Sequence, residues 1–445
     1  MASCQKILKL FMVSMGCSKN LVDSERILTL LKSFSGVSQT SDPREADIAV
    51  INTCAFIEEA TAESIEAIFA IKGCLKKGAC LVVLGCLPAR YGENIKLAEA
   101  DLILPRDAYS ELPELVSKVL SRKSNIQTAA QLSPEAKALP FDSWERTVST
   151  PRWRAYLKIS EGCNHKCTYC MIPKIRGPLK SQSPDSLLKE AKSLANNGVV
   201  ELTLVAQDLT AYRSGSVGLY ELVRRLGDID KLKWIRLMYC YPERLSPTLL
   251  KNLKKVEKLV PYIDVPFQHA SPRILELMGR KAINPMETVD SIRNAWPELS
   301  LRTTLLTGFP GEKERDFELM LKFLEKAKFD YAGFFKFSAE EGSRAANFPN
   351  QVPKPIKTRR WRALSSLQKK ISHKLNRKRV GQSLKILVDG FAHESNVFTV
   401  GRGTFQAPEV DGLVYFEGKQ PKHGKIVRAT IIAAKGYDLL SVLDD

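Results

Sequence analysis

Apolar and polar positions fall in blocks of two lengths over the first 140 residues. Short, mostly apolar runs at 7–15, 47–52 and 81–84 have the length of buried strands. Between them, 21–34 and 57–71 place apolar residues at helical spacing, and Glu58 and Glu59 stand in the first turn of the second, where the helix dipole favours acids. Strand and helix in strict alternation predict an open parallel sheet with helices on its faces. The alternation resumes at 152–372, with strands expected at 155–160, 200–206, 234–239, 262–266, 301–306 and 333–337 and helices such as 184–196 and 315–327 between them. Six such units predict a partial (β/α)6 barrel of the TIM type, whose active site belongs at the carboxyl ends of the strands. A proline- and serine-punctuated stretch at 131–151 reads as a linker. After residue 379 the pattern changes to five short strands (384–388, 397–400, 413–416, 426–433, 439–443) separated by glycines. That pattern predicts a small antiparallel β-barrel, of a kind that often binds oligonucleotides. The expected organisation is α/β throughout the first two domains (1–140 and 150–376), with the β-barrel at 378–445.

Composition narrows the class. The apolar run at 7–15 is broken by Lys9 and Ser14 and is too short to span a bilayer, and no other run approaches a span. A cytoplasmic protein with no membrane contact is expected. Ten cysteines in such a chain point to metal or redox chemistry, because the cytosol keeps thiols reduced. The net charge of +18 suggests a polyanionic partner, and its distribution is uneven. Residues 351–380 hold eleven Lys and Arg and no acid, which reads equally as a solvated helix face or as a contact for nucleic acid or the ribosome. From Val380 onward seven Lys and Arg stand against eight Asp and Glu, so the last domain offers few spare cations for RNA.

The chemistry is concentrated in Cys163-Asn164-His165-Lys166-Cys167-Thr168-Tyr169-Cys170. Three thiolates at Cys-x3-Cys-x2-Cys spacing suit three corners of a four-iron cluster and leave the fourth iron open to a ligand. A zinc knot using His165 is the competing reading, but zinc sites usually come as two separated ligand pairs and no second pair follows. The spacing resembles that of the radical S-adenosylmethionine (SAM) enzymes, in which the open iron chelates SAM and the cluster's electron cleaves it to a 5′-deoxyadenosyl radical. The loop follows the first predicted barrel strand directly, at the active edge. Polar residues at other strand ends share that edge: Gln207 and Asp208, Tyr239 and Tyr241, Gln268 and His269, Thr304 and Gly308. With Tyr169 from the loop, Gln207, Tyr239, Gln268, Thr304 and Gly308 are the candidate cofactor contacts. His269 reads equally as a structural histidine.

Three further cysteines occupy matched positions. Cys17, Cys54 and Cys86 each end a predicted strand of the first domain, 37 and 32 positions apart. The carboxyl ends of parallel strands share one edge, so three thiols can converge there. Gly16 and Gly85 beside them permit tight turns. Cys4, Cys74, Cys80 and Cys240 have no such placement.

Taken together, the three strand-end cysteines, the Cys163/Cys167/Cys170 loop and the terminal β-barrel resemble the methylthiotransferase family along nearly the whole chain. The resemblance implies two [4Fe–4S] clusters, an auxiliary one on Cys17, Cys54 and Cys86 and a radical one on Cys163, Cys167 and Cys170. It implies SAM as both methyl donor and radical source, a TRAM domain for substrate docking, and a reducing partner such as flavodoxin or ferredoxin. Two branches of the family differ in substrate, a tRNA adenosine or an aspartate β-carbon in small-subunit ribosomal protein twelve. The runs Gly16-Cys17-Ser18-Lys19-Asn20, Pro266-Phe267-Gln268-His269-Ala270-Ser271 and Ala407-Pro408-Glu409-Val410-Asp411-Gly412 resemble the ribosomal-protein branch. Lys313, after Gly311-Glu312, departs from the family's threonine. The expected partner is therefore ribosomal protein twelve, free or on the ribosome, and direct tRNA binding is disfavoured. Glu409, Asp411 and Glu417 are expected to face basic groups of that protein, and Glu409 and Asp411 read equally as solvated turn residues. The tRNA enzyme, and a non-catalytic iron–sulfur sensor or RNA-binding scaffold, remain the alternatives at this point.

Overall fold

The computed structural model describes residues 7–33, 36–121, 146–280, 283–392 and 395–444. Most of the expected linker at 131–151 lies outside them. The chain divides into two compact units: 1–149 with 160–165 and 170–193, and 150–159 with 166–169 and 194–445.

The first unit is built on a five-stranded sheet of order β2-β1-β3-β4-β5, with strands β1 (Leu8–Ser14), β2 (Val37–Gln39), β3 (Ile48–Thr53), β4 (Cys80–Gly85) and β5 (Leu102–Ile103). Every pairing in it is parallel. β3 and β4 are buried along their whole length, because alternate residues feed two cores. Val50, Val82 and Leu84 pack on one face and Ala49, Ile51, Leu81 and Val83 on the other. Each such enclosed side chain contributes on the order of 1.5–3 kcal/mol. Helices α1 (Ser18–Lys32), α2 (Glu58–Cys74) and α3 (Cys86–Tyr91) follow β1, β3 and β4. The short strands β2 and β5 were not visible as apolar runs. After the first barrel strand, β6 (Arg154–Lys158), a small antiparallel pair, β7 (Ser160–Glu161) with β8 (Lys180–Ser181), belongs to this unit.

In the second unit β6 is joined by β9 (Glu201–Val205), β12 (Trp234–Leu237), β13 (Leu259–Asp264), β14 (Ser300–Thr307) and β15 (Tyr331–Lys336). A short hairpin, β10 (Arg213–Ser214) with β11 (Val217–Gly218), follows β9. The six long strands pair in parallel and in chain order, β6 to β15, without closing. This is the expected partial barrel. A long helix, Lys354–Arg377, then leads to a closed barrel of β16 (Ser383–Ala392), β17 (Ser395–Gly403), β18 (Val414–Glu417), β19 (Ile426–Lys435) and β20 (Asp438–Leu443). Its pairings are antiparallel except for β18 with β20, which are parallel. No helix among the described residues is long and apolar enough to cross a membrane.

The small barrel is fastened to the amino ends of the large barrel's strands by enclosed charges. Arg402 Nη2 lies 2.6 Å from Glu201 Oε2 and 2.9 Å from Asp389 Oδ1. Arg236 Nε donates to the same Glu201 at 2.9 Å, and its Nη1 reaches the Thr404 carbonyl at 2.8 Å. Burial works to raise the Glu201 pKa, but Arg402 and Arg236 outweigh it and hold the carboxyl at about 2. Here the structure overturns both readings of Asp411. The Asp411 side chain is enclosed, accepts from Tyr262 Oη at 2.7 Å and from Ala407 N–H at 2.8 Å, and meets Arg302 at 3.3 Å. Glu409 pairs with Arg154 at 3.0 Å and Tyr156 at 3.1 Å. Asp411 is therefore neither a docking acid nor a solvated turn residue, whereas Glu409 is an exposed turn residue whose carboxylate is already engaged by Arg154 and Tyr156. Glu417 is exposed as well.

Candidate cluster sites

Each cysteine of the first triad sits where a strand of the five-stranded sheet ends. Cys17 caps the amino end of α1, Cys54 directly follows β3, and Cys86 opens α3 directly after β4. Polar side chains brace these ends together. Asn20 Nδ2 donates to the carbonyls of Met15 (2.8 Å) and Thr53 (3.0 Å), and Asn52 Nδ2 to that of Asn20 (2.9 Å). Thr53 Oγ1 donates to the Leu84 carbonyl at 2.6 Å and accepts from Leu87 N–H at 3.1 Å. Ser64 holds the Cys54 backbone at both its N–H and its carbonyl. Gly16, at φ +83°, is required sterically as well: a Cβ there would stand 2.7 Å from Cys54 Sγ.

The thiols differ in their surroundings. Burial works to raise the Cys17 pKa, but Lys19, Arg176 and the N–H groups of Asn20 and Lys19 prevail and lower it, as a helix amino end does. Burial pushes Cys54 up to about 11, with the neighbouring Cys86 and Cys17 adding to the rise. Among the described residues, no three His, Cys, Asp or Glu side chains are close enough to hold one metal ion. A four-iron cube asks something different: each thiolate binds a separate corner, so its sulfurs stand farther apart than those around a single ion. Three thiols on one sheet edge, with a glycine leaving room beside Cys54, fit that demand.

In the second triad, Cys163 Sγ accepts from His165 N–H at 3.4 Å and Cys170 Sγ from Ile172 N–H at 3.5 Å. Such N–H contacts favour the charged sulfur that an iron requires. In the second unit, Cys167 Sγ stands 4.0 Å from Tyr241 Oη, and Arg280 lies over the Tyr241 ring at 4.2 Å. Gly279 meets the Lys166 carbonyl so closely that a Cβ would strike it.

The expected cofactor positions lie along the carboxyl ends of the barrel strands. Gln207 is two residues past β9, Tyr239 two past β12 and Gln268 four past β13. Thr304 is in β14, and its carbonyl accepts from Gln268 N–H at 2.8 Å. Gly308 follows β14 and donates to Glu312 Oε2 at 2.6 Å. Tyr169 packs edge-on to Phe309, ring centroids 6.4 Å apart. His269 is fully enclosed; its Nδ1 accepts from Ser271 N–H at 2.9 Å and its Nε2 lies 3.5 Å from Glu312 Oε2. It therefore serves the loop around Gly308, which the sequence left undecided. Burial opposes ionisation of Glu312, but His269, Arg360 and the Gly308 N–H overcome it and lower its pKa. Arg360, from the basic run, reaches Glu312 at 2.6 Å. Residues that sequence reasoning missed are Arg176, Glu312 and Arg360; only the buried contacts reveal them.

The radical SAM superfamily model matches residues 157–324, the model of the uncharacterized protein family UPF0004 matches 9–104, and the TRAM domain model matches 380–443. Among solved structures, the cobalamin- and [4Fe–4S]-bound radical SAM methyltransferase TsrM from Kitasatospora setae aligns with a TM-score of 0.55 at 15% identity, covering 75% of each chain. The cobalamin-dependent SAM radical enzyme OxsB, with aqua-cobalamin bound, aligns with a TM-score of 0.51 at 12% identity, covering 82% of this chain and 56% of that one. These likenesses are of fold. A cysteine-bearing α/β sheet, the Cys-x3-Cys-x2-Cys loop of an open barrel and a TRAM barrel make this a radical SAM enzyme of the methylthiotransferase class. Whole-length similarity takes the assignment further. The chain is 40% identical to the ribosomal protein uS12 methylthiotransferase RimO of Pelobacter propionicus over 98% of both chains. It is also 40% identical to that of Geobacter sulfurreducens, over 97% of this chain and 98% of that one. The chain belongs to the ribosomal protein uS12 methylthiotransferase family.

Proposed function

We propose that this chain attaches a methylthio group to the β-carbon of an aspartate in ribosomal protein uS12. Cys163, Cys167 and Cys170 are assigned to a radical [4Fe–4S] cluster, and Cys17, Cys54 and Cys86 to an auxiliary one. The observation that carries the reading is the presence of both cysteine triads, one by local spacing and one by strand-end placement, in a chain alike over its full length to relatives bearing that name. Together the clusters and SAM supply a carbon-centred radical and a methylated sulfur, chemistry that side chains alone do not provide. The protein's own part is positioning. Gln207, Tyr239, Gln268, Thr304 and Gly308 line the strand ends where SAM is to be held, with Tyr169 beside Cys170. Glu312, fixed by Arg360 and three hydrogen bonds from Thr307, Gly308 and Phe309, keeps the Gly308 turn in place. Electrons are to come from a low-potential donor such as flavodoxin or ferredoxin.

The test is to incubate the reduced, cluster-loaded chain with SAM and either ribosomes carrying uS12 or isolated tRNA. Mass spectrometry should find the methylthio mass gain on a uS12 peptide and none on tRNA. Modification of tRNA alone would transfer the chain to the tRNA branch; cofactor cleavage with neither product would reject both substrates.

A further inference from the structure

Arg176 ends the short helix Ile172–Arg176, six positions after Cys170, yet its side chain is spent on residues of the five-stranded sheet domain. It is enclosed, and its two terminal nitrogens divide their bonds. Nη1 pairs with Glu161 Oε1 at 3.0 Å and Asp23 Oδ2 at 3.3 Å. Nη2 donates to Asn20 Oδ1 at 3.0 Å and to Cys86 Sγ at 3.6 Å. Arg106 shares both acids, at 2.8 Å from Glu161 and 3.4 Å from Asp23. Two acids thus face two arginines, and Lys19 stands beside Cys17 as a further cation. Asn20, which takes the same Nη2, is the residue that braces the Cys17 and Cys54 strand ends.

A salt bridge needed only to fix the helix Ile172–Arg176 would be complete with Asp23 and Glu161. The second nitrogen instead points a charged donor at a sulfur. Hydrogen bonds and charge at ligating sulfurs set the potential of an iron–sulfur cluster, because each electron added makes the cluster more anionic and a nearby cation stabilises that state. We infer that Arg176 is a positioning residue for the auxiliary cluster, orienting Cys86 through Nη2 and raising the cluster's reduction potential. The inference rests on the proposed assignment of Cys17, Cys54 and Cys86 to that cluster. It also ties the segment that follows the radical triad to a ligand of the other triad by a single side chain.

The test uses the full-length chain with Cys163→Ser, Cys167→Ser and Cys170→Ser, which leaves only the auxiliary triad. Iron and sulfide are assayed, and the midpoint potential is measured by titration followed by electron paramagnetic resonance. Into this parent go Arg176→Lys, which keeps the charge, and Arg176→Gln, which keeps donors without charge. The glutamine variant should hold its iron at a more negative midpoint, and lysine should restore most of the shift. Loss of iron from the glutamine variant with retention in the lysine variant supports the inference equally. An unchanged midpoint in the iron-loaded glutamine variant overturns it. So does unfolding of both variants by circular dichroism, which would make Arg176 a structural tie. A parent that binds no iron overturns the auxiliary-cluster assignment itself, and the inference with it.

Discussion

Tyr239 and Gln268 both hold positive φ, at 65° and 70°, each a few residues past the carboxyl end of adjacent barrel strands. Neither is a residue that adopts this region readily, and each such position costs about 1–3 kcal/mol. Two strained residues side by side on the active edge mark where the backbone has been bent to present side chains.

Replacing Gln268 separates strain from recognition. Gln268→Gly should be about 1–2 kcal/mol more stable than Gln268→Ala, because glycine accepts positive φ without cost. Both variants should bind SAM more weakly than the parent in equilibrium dialysis. Unchanged affinity in both would remove Gln268 from the cofactor contacts.

Iron content tests the two triads. Cys163→Ala, Cys167→Ala and Cys170→Ala together should remove about half the iron and abolish 5′-deoxyadenosine formation, since a separate set of ligands remains. The matching triple variant at Cys17, Cys54 and Cys86 should still cleave SAM while making no methylthio product. Methylthio product from that second variant would reverse the assignment of roles.

Acid stability should report on Glu201. Its carboxyl is held at about 2 in the folded chain, below its ordinary 4.5. The unfolded chain therefore binds the extra proton first, and the stabilisation is full above pH 4.5 and lost as pH falls toward 2. Glu201→Gln should flatten this acid limb and, by leaving Arg402 and Arg236 enclosed beside a neutral group, cost about 3–5 kcal/mol at neutral pH. A variant that melts like the parent at neutral pH would contradict the burial of this pair.

The basic run is only partly available to a partner. Arg360 is committed to Glu312, Arg359 to Glu314, Arg379 to Asp330 and Lys357 to the Phe337 carbonyl. Arg362, Lys369, Lys370, Lys374 and Arg377 stay exposed at helical spacing along one side of the helix Lys354–Arg377. Glutamine at these five should lower the salt dependence of ribosome binding by roughly 0.7–0.9 logarithmic units for each phosphate no longer neutralised. Glutamine at Arg360 should instead destabilise the Gly308 turn and leave the slope alone. An unaltered slope in the fivefold variant would make the stripe a solvated face.

The sequence announced whatever depends on short range. The loop Cys163 to Cys170 is a local spacing, and each long barrel strand is a local apolar run that the structure places within a few residues. The helix expected at 184–196 is observed as Pro184–Asn196. Cys17, Cys54 and Cys86 were legible only because a parallel sheet brings equivalent strand ends to one edge. What escaped depends on pairs far apart in the chain. Arg176 meets Cys86 across 90 positions and Arg402 meets Glu201 across 201. Asp411 was misread for the same reason: counting a domain's charge does not reveal which acids already have partners inside the molecule. The strands β2 and β5, three and two residues long, carry too little apolar pattern to be seen.

The enclosed bond between Arg402 and Glu201 bears on how such chains can be recombined. A TRAM segment severed near residue 378 would leave with the guanidinium of Arg402 and the carboxylate of Asp411, while Glu201, Tyr262 and Arg302 stayed behind. Grafting a foreign segment onto this barrel would strand a buried charge unless positions 201, 236, 262 and 302 travelled with it. A replacement at 201 is correspondingly tolerable only alongside one at 402. The last two stretches of the chain look interchangeable as text, but they are heritable only as a pair.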